Sequence, residues 1–153
     1  MKNSIRLAAY QPEIPQNLGA MIRLCACLAV PIDIIEPCGF PFSKKALKRT
    51  AMDYLELAEI KQHDSFDAFS IYKSERRLIL LTTSGTKNLW DFQFMSSDIL
   101  MVGRESSGVP TSVVKCSSHR IRIPMPGRGR SLNVASCAAM AISEATRQLR
   151  ENL

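Results

Sequence analysis

Asp98-Ile99-Leu100-Met101-Val102-Gly103-Arg104-Glu105-Ser106-Ser107-Gly108 is the stretch that decides the fold. Ile99 to Val102 is unbroken apolar sequence, so neither face of this strand is meant for water. Strands of that kind belong to parallel sheets covered by helices on both sides. The run stops at Gly103 and opens into Gly-x-Glu-x-x-Gly, where the backbone can come close to a ligand. It lacks the Gly-x-Gly-x-x-Gly order of a dinucleotide fingerprint, and a tight turn with a helix-capping serine fits the same residues.

The same grammar runs outward in both directions. Downstream, Arg120 to Met125 is read as a further buried strand, followed by Pro126-Gly127-Arg128-Gly129-Arg130 and a helix from about Leu132 to the C-terminus. The first turns of that helix are small-sided (Ala135, Ser136, Cys137, Ala138, Ala139, Ala141), which suits close helix packing, including a dimer face. Upstream, Arg77 to Thr83 is a strand ending at Ser84-Gly85. Near the N-terminus, Ile5 to Tyr10 and Ile32 to Ile35 are strands, and Leu18 to Ala29 is a helix capped by Asn17 and stopped by Pro31. Ser43 caps a short basic helix through Arg49, Tyr54 to Ile60 is read as strand-like, and Ser65 to Tyr72 as helical. Alternating β and α units predict an α/β doubly wound fold, mainly parallel sheet flanked by helices, with its ligand at the C-terminal strand ends.

A length of 153 residues fits one domain spanning 1–153, and 46% hydrophobic with 22% charged residues excludes wholesale disorder. No stretch is long and apolar enough for a membrane span, and the N-terminus has no signal-peptide pattern, so a cytoplasmic protein is expected. The net charge of +6 is uneven: residues 1–30 carry +2, 31–60 carry −1, 61–100 carry 0 and 101–153 carry +5. A basic final third points to a polyanionic partner. The five cysteines form no Cys-x-x-Cys pair and read as small buried hydrophobes in a reducing cytosol; with only two histidines, no metal is expected.

Polar and glycine residues gather after strands in three places. Asn17-Leu18-Gly19-Ala20-Met21-Ile22-Arg23 places Asn17 and Arg23 on one helix, where a cap and a solvent-facing arginine also fit. Gly103 to Gly108 is the second. Ile123-Pro124-Met125 with Ser131-Leu132-Asn133 brackets a glycine loop with two arginines, which suits an anion and equally a mobile basic loop.

Asn17-x-Gly19-x-x-x-Arg23, Gly103-x-Glu105-x-x-Gly108 and Ile123-Pro124-Met125…Ser131-Leu132-Asn133, in that order, resemble the three motifs of SPOUT-superfamily RNA 2′-O-methyltransferases. Tyr10 to Asn17, Ile34 to Phe40 and Leu81 to Gly85 are similar to the short tRNA wobble-nucleotide methyltransferases of the TrmL type. The resemblance runs from about Ile5 to Leu149. It implies an α/β-knot fold with a C-terminal trefoil knot, which pattern reading would not produce because knots are nearly absent from proteins. It implies S-adenosyl-L-methionine as cofactor, held near Leu81, Gly103, Ile123, Met125, Ser131 and Leu132. It also implies methyl transfer to a ribose 2′-hydroxyl, with Arg23 central and Asn17, Glu105, Ser131 and Asn133 arranging the site.

A guanidinium is charged at working pH, so Arg23 reads better as a phosphate clamp and oxyanion stabiliser than as a general base. The implied substrate is the wobble cytidine or modified uridine of tRNA, leucine isoacceptors in particular. The implied partners are an anticodon stem-loop and a second copy of the chain, whose pocket the arginine reaches; no DNA and no membrane are expected. Another tRNA or rRNA nucleotide, or a catalytically silent RNA-binding relative, are the alternatives. The larger relatives carry appended RNA-binding segments, and their lack here leads to the expectation that the catalytic domain itself binds RNA. The basic cluster Lys44, Lys45, Lys48 and Arg49 either extends that footprint or is a solvated helix face. Arg104 stands where relatives often have proline, and Ser143 where close relatives carry a tyrosine of the dimer interface.

Overall fold

The computed structural model describes residues 5–51 and 53–150; residues 1–4 and 151–153, at the two ends of the expected domain, lie outside the described residues. Among the described residues seven strands form one sheet: β1 Arg6–Tyr10, β2 Ile32–Ile35, β3 Ile60–His63, β4 Leu78–Leu81, β5 Lys87–Asn88, β6 Ile99–Val102 and β7 His119–Arg122. The helices are α1 Pro15–Leu28, α2 Lys44–Ala51, α3 Tyr54–Leu57, α4 Phe66–Lys73, α5 Thr111–Cys116 and α6 Val134–Leu149, with a 3₁₀ turn at Leu89–Asp91. The strand order is β3-β2-β1-β6-β4-β7-β5, and every pairing is parallel. The predicted α/β layering is therefore present.

β1, β2 and β6 are buried along their whole length, β6 as a continuous apolar run and β1 and β2 with the charged Arg6 and Asp33 taken inside. Leu7, Ile32, Ile34, Leu100 and Val102 turn to one face and pack with Leu18, Met21, Ile22 and Cys25 of α1 and with Ala138, Ala141, Ile142 and Ala145 of α6. Ala8, Tyr10, Ile35, Leu80 and Met101 turn to the other, against Phe69 of α4 and Val113 of α5. The small residues at the middle of α6 thus serve packing within the chain, while Ser136 and Ser143 remain exposed. Gly19 serves α2: a Cβ there would lie 2.6 Å from Thr50 Cβ and 2.7 Å from its carbonyl carbon.

Two carboxylates, Asp33 and Asp98, are fully buried and each is met by charged or hydrogen-bonding partners. Arg6 donates from Nε to Asp33 at 2.7 Å, and His63 Nε2 lies 2.8 Å from the other oxygen of the same carboxylate. At the N-terminal ends of the neighbouring strands β4 and β6, Arg77 grips Asp98 through two bonds of 2.7 and 2.6 Å. Such pairing is what makes buried charge tolerable.

Four local expectations are corrected. α1 starts at Pro15, so Asn17 lies inside the first turn and Ile14 takes the N-cap position without a side-chain cap. The freed amide of Asn17 is used for tertiary bonds instead. Residues read as strand from Tyr54 make one turn of helix before β3 begins at Ile60. β7 is not buried on both faces, because only Ile121 of His119–Arg122 is inside. Cys25 is buried and Cys38 and Cys137 are half-buried, but Cys27 and Cys116 are exposed. Burial pushes the Cys25 thiol up to about 12.

The connection from β4 to β5 crosses β7, which pairs with both. Thr82 N donates to Ile121 O at 2.9 Å and Thr86 N to Arg120 O at 3.1 Å, one on either side of the crossing. Gly85 lies on the β7 backbone so closely that an added Cβ would sit 2.6 Å from Arg122 N.

Candidate active site

Three loops leave the C-terminal ends of β4, β6 and β7 and enclose a cleft of about 690 Å³. Leu81, Gly103, Ile123, Met125, Ser131 and Leu132 all line it, as do Asn17, Glu105 and Asn133. Every cofactor position named from the sequence is therefore on one surface. Arg23 is not: it is exposed on α1, with its guanidinium 4.8 Å above the ring of Tyr54.

The polar residues are joined into a chain. Glu105 accepts from Glu13 N at 2.8 Å, Ile14 N at 3.3 Å and Asn17 Nδ2 at 3.4 Å. Asn17 Oδ1 in turn accepts from Asn133 Nδ2 at 2.9 Å. Asn133 Oδ1 caps α6, accepting from Ala135 N at 2.9 Å and Ser136 N at 3.3 Å. Glu105 thereby ties the second loop to the backbone just ahead of α1 and to the Asn17 side chain, near the end where the helix dipole favours an anion. Both helix starts spend these donors inside the protein, so the network shapes the cleft and fixes three loops together.

Sequence reasoning missed the reciprocal half of this clamp. Glu13 accepts from Ser106 N at 2.9 Å and Ser106 Oγ at 2.7 Å. The backbone N–H of Ser106, then its hydroxyl, hold the Glu13 carboxyl below the usual carboxylate range. The available signal was a carboxylate in the Pro-rich turn between β1 and α1, Gln11-Pro12-Glu13-Ile14-Pro15. Ile14, Thr82, Thr83 and Ser84 also line the cleft without having been singled out.

The second loop owes its shape to its glycines. A Cβ on Gly103 would lie 2.7 Å from the carbonyl carbon of Gly108, and Gly108 has φ +62°. Arg104 and Gly108 exchange backbone bonds of 3.0 and 2.9 Å, while Arg104 Nε adds one of 3.1 Å to Gly108 O. The guanidinium of Arg104 stands 5.5 Å from the Tyr10 ring centroid, so it braces the loop.

The cleft has the right chemistry for an adenosine-bearing group. Leu81, Ile123, Met125 and Leu132 give apolar walls, and the Ser131 and Thr83 hydroxyls stand among them. Few polar groups on apolar walls, in a volume of this size, suit a purine and its ribose. Among the described residues no cluster of His, Cys, Asp and Glu could hold a metal ion. No helix of the described residues is long and apolar enough to cross a membrane.

A parallel sheet with glycine loops closing such a cleft over its strand ends defines an α/β enzyme that holds a nucleoside-containing cofactor. The sequence profile of the SpoU rRNA Methylase family matches residues 4–143, and the chain belongs to that family. It is 50% identical over 145 residues to a tRNA (cytidine(34)-2'-O)-methyltransferase of Beijerinckia indica, covering 94% of this chain and 91% of that one. A solved structure described as "Structural insights into the 2-OH methylation of C/U34 on tRNA" superposes with a TM-score of 0.91 at 39% identity, over 96% of this chain and 97% of that one. The AdoMet-bound rRNA methyltransferase from Sinorhizobium meliloti shares the fold, with a TM-score of 0.85 at 22% identity over 99% of this chain and 59% of that one. S-adenosylmethionine is the cofactor of this class, and the cleft fits it.

Proposed function

We propose that this chain methylates the ribose 2′-hydroxyl of the wobble pyrimidine, nucleotide 34, in tRNA, with leucine isoacceptors as the first substrates to test. The observation that carries the reading is the Glu105–Asn17–Asn133 chain of bonds, which draws the three motif segments onto one adenosine-sized cleft. The 50% identity to the wobble-cytidine methyltransferase supports the position on the RNA. The protein works in the cytoplasm as a single-domain homodimer and takes an anticodon stem-loop. The crossing of β7 by the β4–β5 connection supports the trefoil knot.

Bound S-adenosylmethionine supplies an electrophilic methyl group, so the protein's task is to bring the hydroxyl into line and stabilise its developing charge. Leu81, Gly103, Ile123, Met125 and Leu132 hold the cofactor. Ser131, on the same cleft, both touches the cofactor and helps arrange the site, while Glu105 holds Asn17 and Asn17 holds Asn133. Arg23 clamps an RNA phosphate and stabilises the oxyanion from the partner's side of the dimer, since it does not line the cleft of its own chain.

Arg23→Ala is expected to lower turnover at least ~10²-fold, the scale for loss of one oxyanion-stabilising group, with cofactor affinity by calorimetry unchanged. Labelled methyl incorporation into bulk tRNA, followed by mapping of the modified nucleotide, tests the reading as a whole. Methyl transfer to a base, or to a ribose elsewhere, would overturn it.

A further inference from the structure

The helices on the α4–α5 side cover the sheet only as far as β4. Past the end of α5 at Cys116, the outward positions of β7 are Arg120 and Arg122, both exposed. Nothing acidic in this part of the sequence answers them. From Ser106 to Ser143 there is no Asp or Glu, and Lys115, Arg120, Arg122, Arg128 and Arg130 all fall inside that run. Ordinary solvated surfaces intersperse both signs, and a surface of one sign attracts a partner of the other.

These charges are also unspent. Among the described residues Lys115 and Arg120 make no ion pair, and Arg122 donates only to the neutral Asn88 Oδ1, at 2.8 Å. Lys115, His119 and Arg120 line a second cavity of about 420 Å³ with Thr86, Ser117 and Ser118. Val114 lines both this cavity and the cofactor cleft, so one surface runs from the reaction site into the basic cup. Arg120 and Arg122 are alternate residues of one strand, about 6.6 Å apart along it, and a strand holds them there rigidly. The cup has almost no apolar lining, so a protein partner would find no anchor for a desolvated core.

We propose that the α5–β7 face, through Lys115, Arg120 and Arg122, grips the sugar–phosphate backbone of the RNA beside the target nucleotide. This rests on the reading of the chain as an RNA methyltransferase. It makes the face a binding surface of the catalytic domain itself, on the side of the sheet away from α1 and α6. The contacts are to phosphates, so they position the strand without reading its sequence.

The test compares full-length wild type, the double variant Lys115→Gln/Arg120→Gln, the charge-keeping Arg120→Lys, and Lys61→Gln on β3 at the far edge of the sheet. Affinity for an unmodified tRNA transcript is measured across a salt series, with methylation kinetics on bulk tRNA and calorimetric S-adenosylmethionine binding alongside. Losing two phosphate contacts should weaken tRNA binding about tenfold near 0.1 M salt and flatten the log–log salt slope by roughly 1.4–1.8. KM for tRNA should rise with kcat within about twofold, and cofactor affinity should not move. Arg120→Lys and Lys61→Gln should keep the wild-type slope. A double variant with unchanged slope and KM overturns the proposal, as does weaker binding with an unchanged slope. If the double variant flattens the salt slope as predicted but wild type methylates no tRNA, the face stands and the reading of the reaction falls. If wild type methylates while the double variant keeps the wild-type salt slope and KM, the reverse holds.

Discussion

Glu13 and Glu105 are placed as mirror images, each accepting backbone N–H groups from the loop that carries the other. The arrangement makes the closure of the cleft sensitive to acid. Glu13 titrates below the usual carboxylate range because it is bonded to Ser106 as the anion. A depressed carboxyl contributes fully above its unfolded pKa, and that contribution is lost as pH falls through the folded value. In a carbon-detected NMR titration Glu13 should therefore protonate below an ordinary glutamate, and Ser106→Ala, which removes the hydroxyl, should move it part of the way back up. A Glu13 that titrates at the ordinary value in the intact protein would show that the clamp is not formed in solution. Residues of this kind were half legible in the sequence. Glu105, Asn133 and Asn17 stood out because each belongs to a cluster of polar and glycine residues that follows a strand. The role of Asn17 was misread, because a cap needs only a local neighbour whereas its actual partners are 88 and 116 residues away.

At the scale of elements, periodicity identified what burial dictates and missed what crossing dictates. β4 and β6 were legible because each is an apolar run, and β1 and β2 because each is apolar but for one charged residue, Arg6 and Asp33. β5 has two residues, Lys87 and Asn88, and exists only because β7 lies beside it. β7 was read as buried although Arg-Ile-Arg-Ile alternates, and its exposed arginines proved to be the informative half of the pattern. Gly85 was visible as a strand end, yet nothing local reveals that a second strand runs across it. Gly85→Ala would drive a methyl into the backbone of Ile121 and Arg122, which cannot repack as a side chain can. A loss of about 3 kcal/mol is expected, or roughly 6–12 °C in thermal midpoint for a domain of this size. Gly127→Ala, with nothing within 4 Å of the added Cβ, should stay within about 0.5 kcal/mol. Calorimetric scans of the two variants side by side check the contrast, and equal midpoints would mean that the crossing is looser than the structure has it.

The whole molecule holds a cofactor cleft at one end of the sheet and its proposed charge-stabilising arginine elsewhere. Arg104, the arginine that lines the cleft among the described residues, is bound to Gly108 O, while Arg23 stacks on Tyr54 and faces solvent. A single chain thus presents half of each requirement, and a two-fold pair supplies both if Arg23 of each copy reaches the other's cleft, since contacts across such an axis occur twice. This has a consequence that a self-contained site cannot mimic. A chain carrying Arg23→Ala keeps an intact cleft, and a chain carrying Asn133→Ala keeps an intact arginine while losing the bond to Asn17 and the cap of α6. Each homodimer should be nearly inactive. Unfolded together and refolded in equal amounts, the two should pair at random, so that half of the dimers are mixed and each mixed dimer has one complete site of two. Methylation should then return to about a quarter of the wild-type rate, with sedimentation confirming a dimer throughout. If both groups act within one chain, every site in the mixture carries a defect and no activity returns at any mixing ratio.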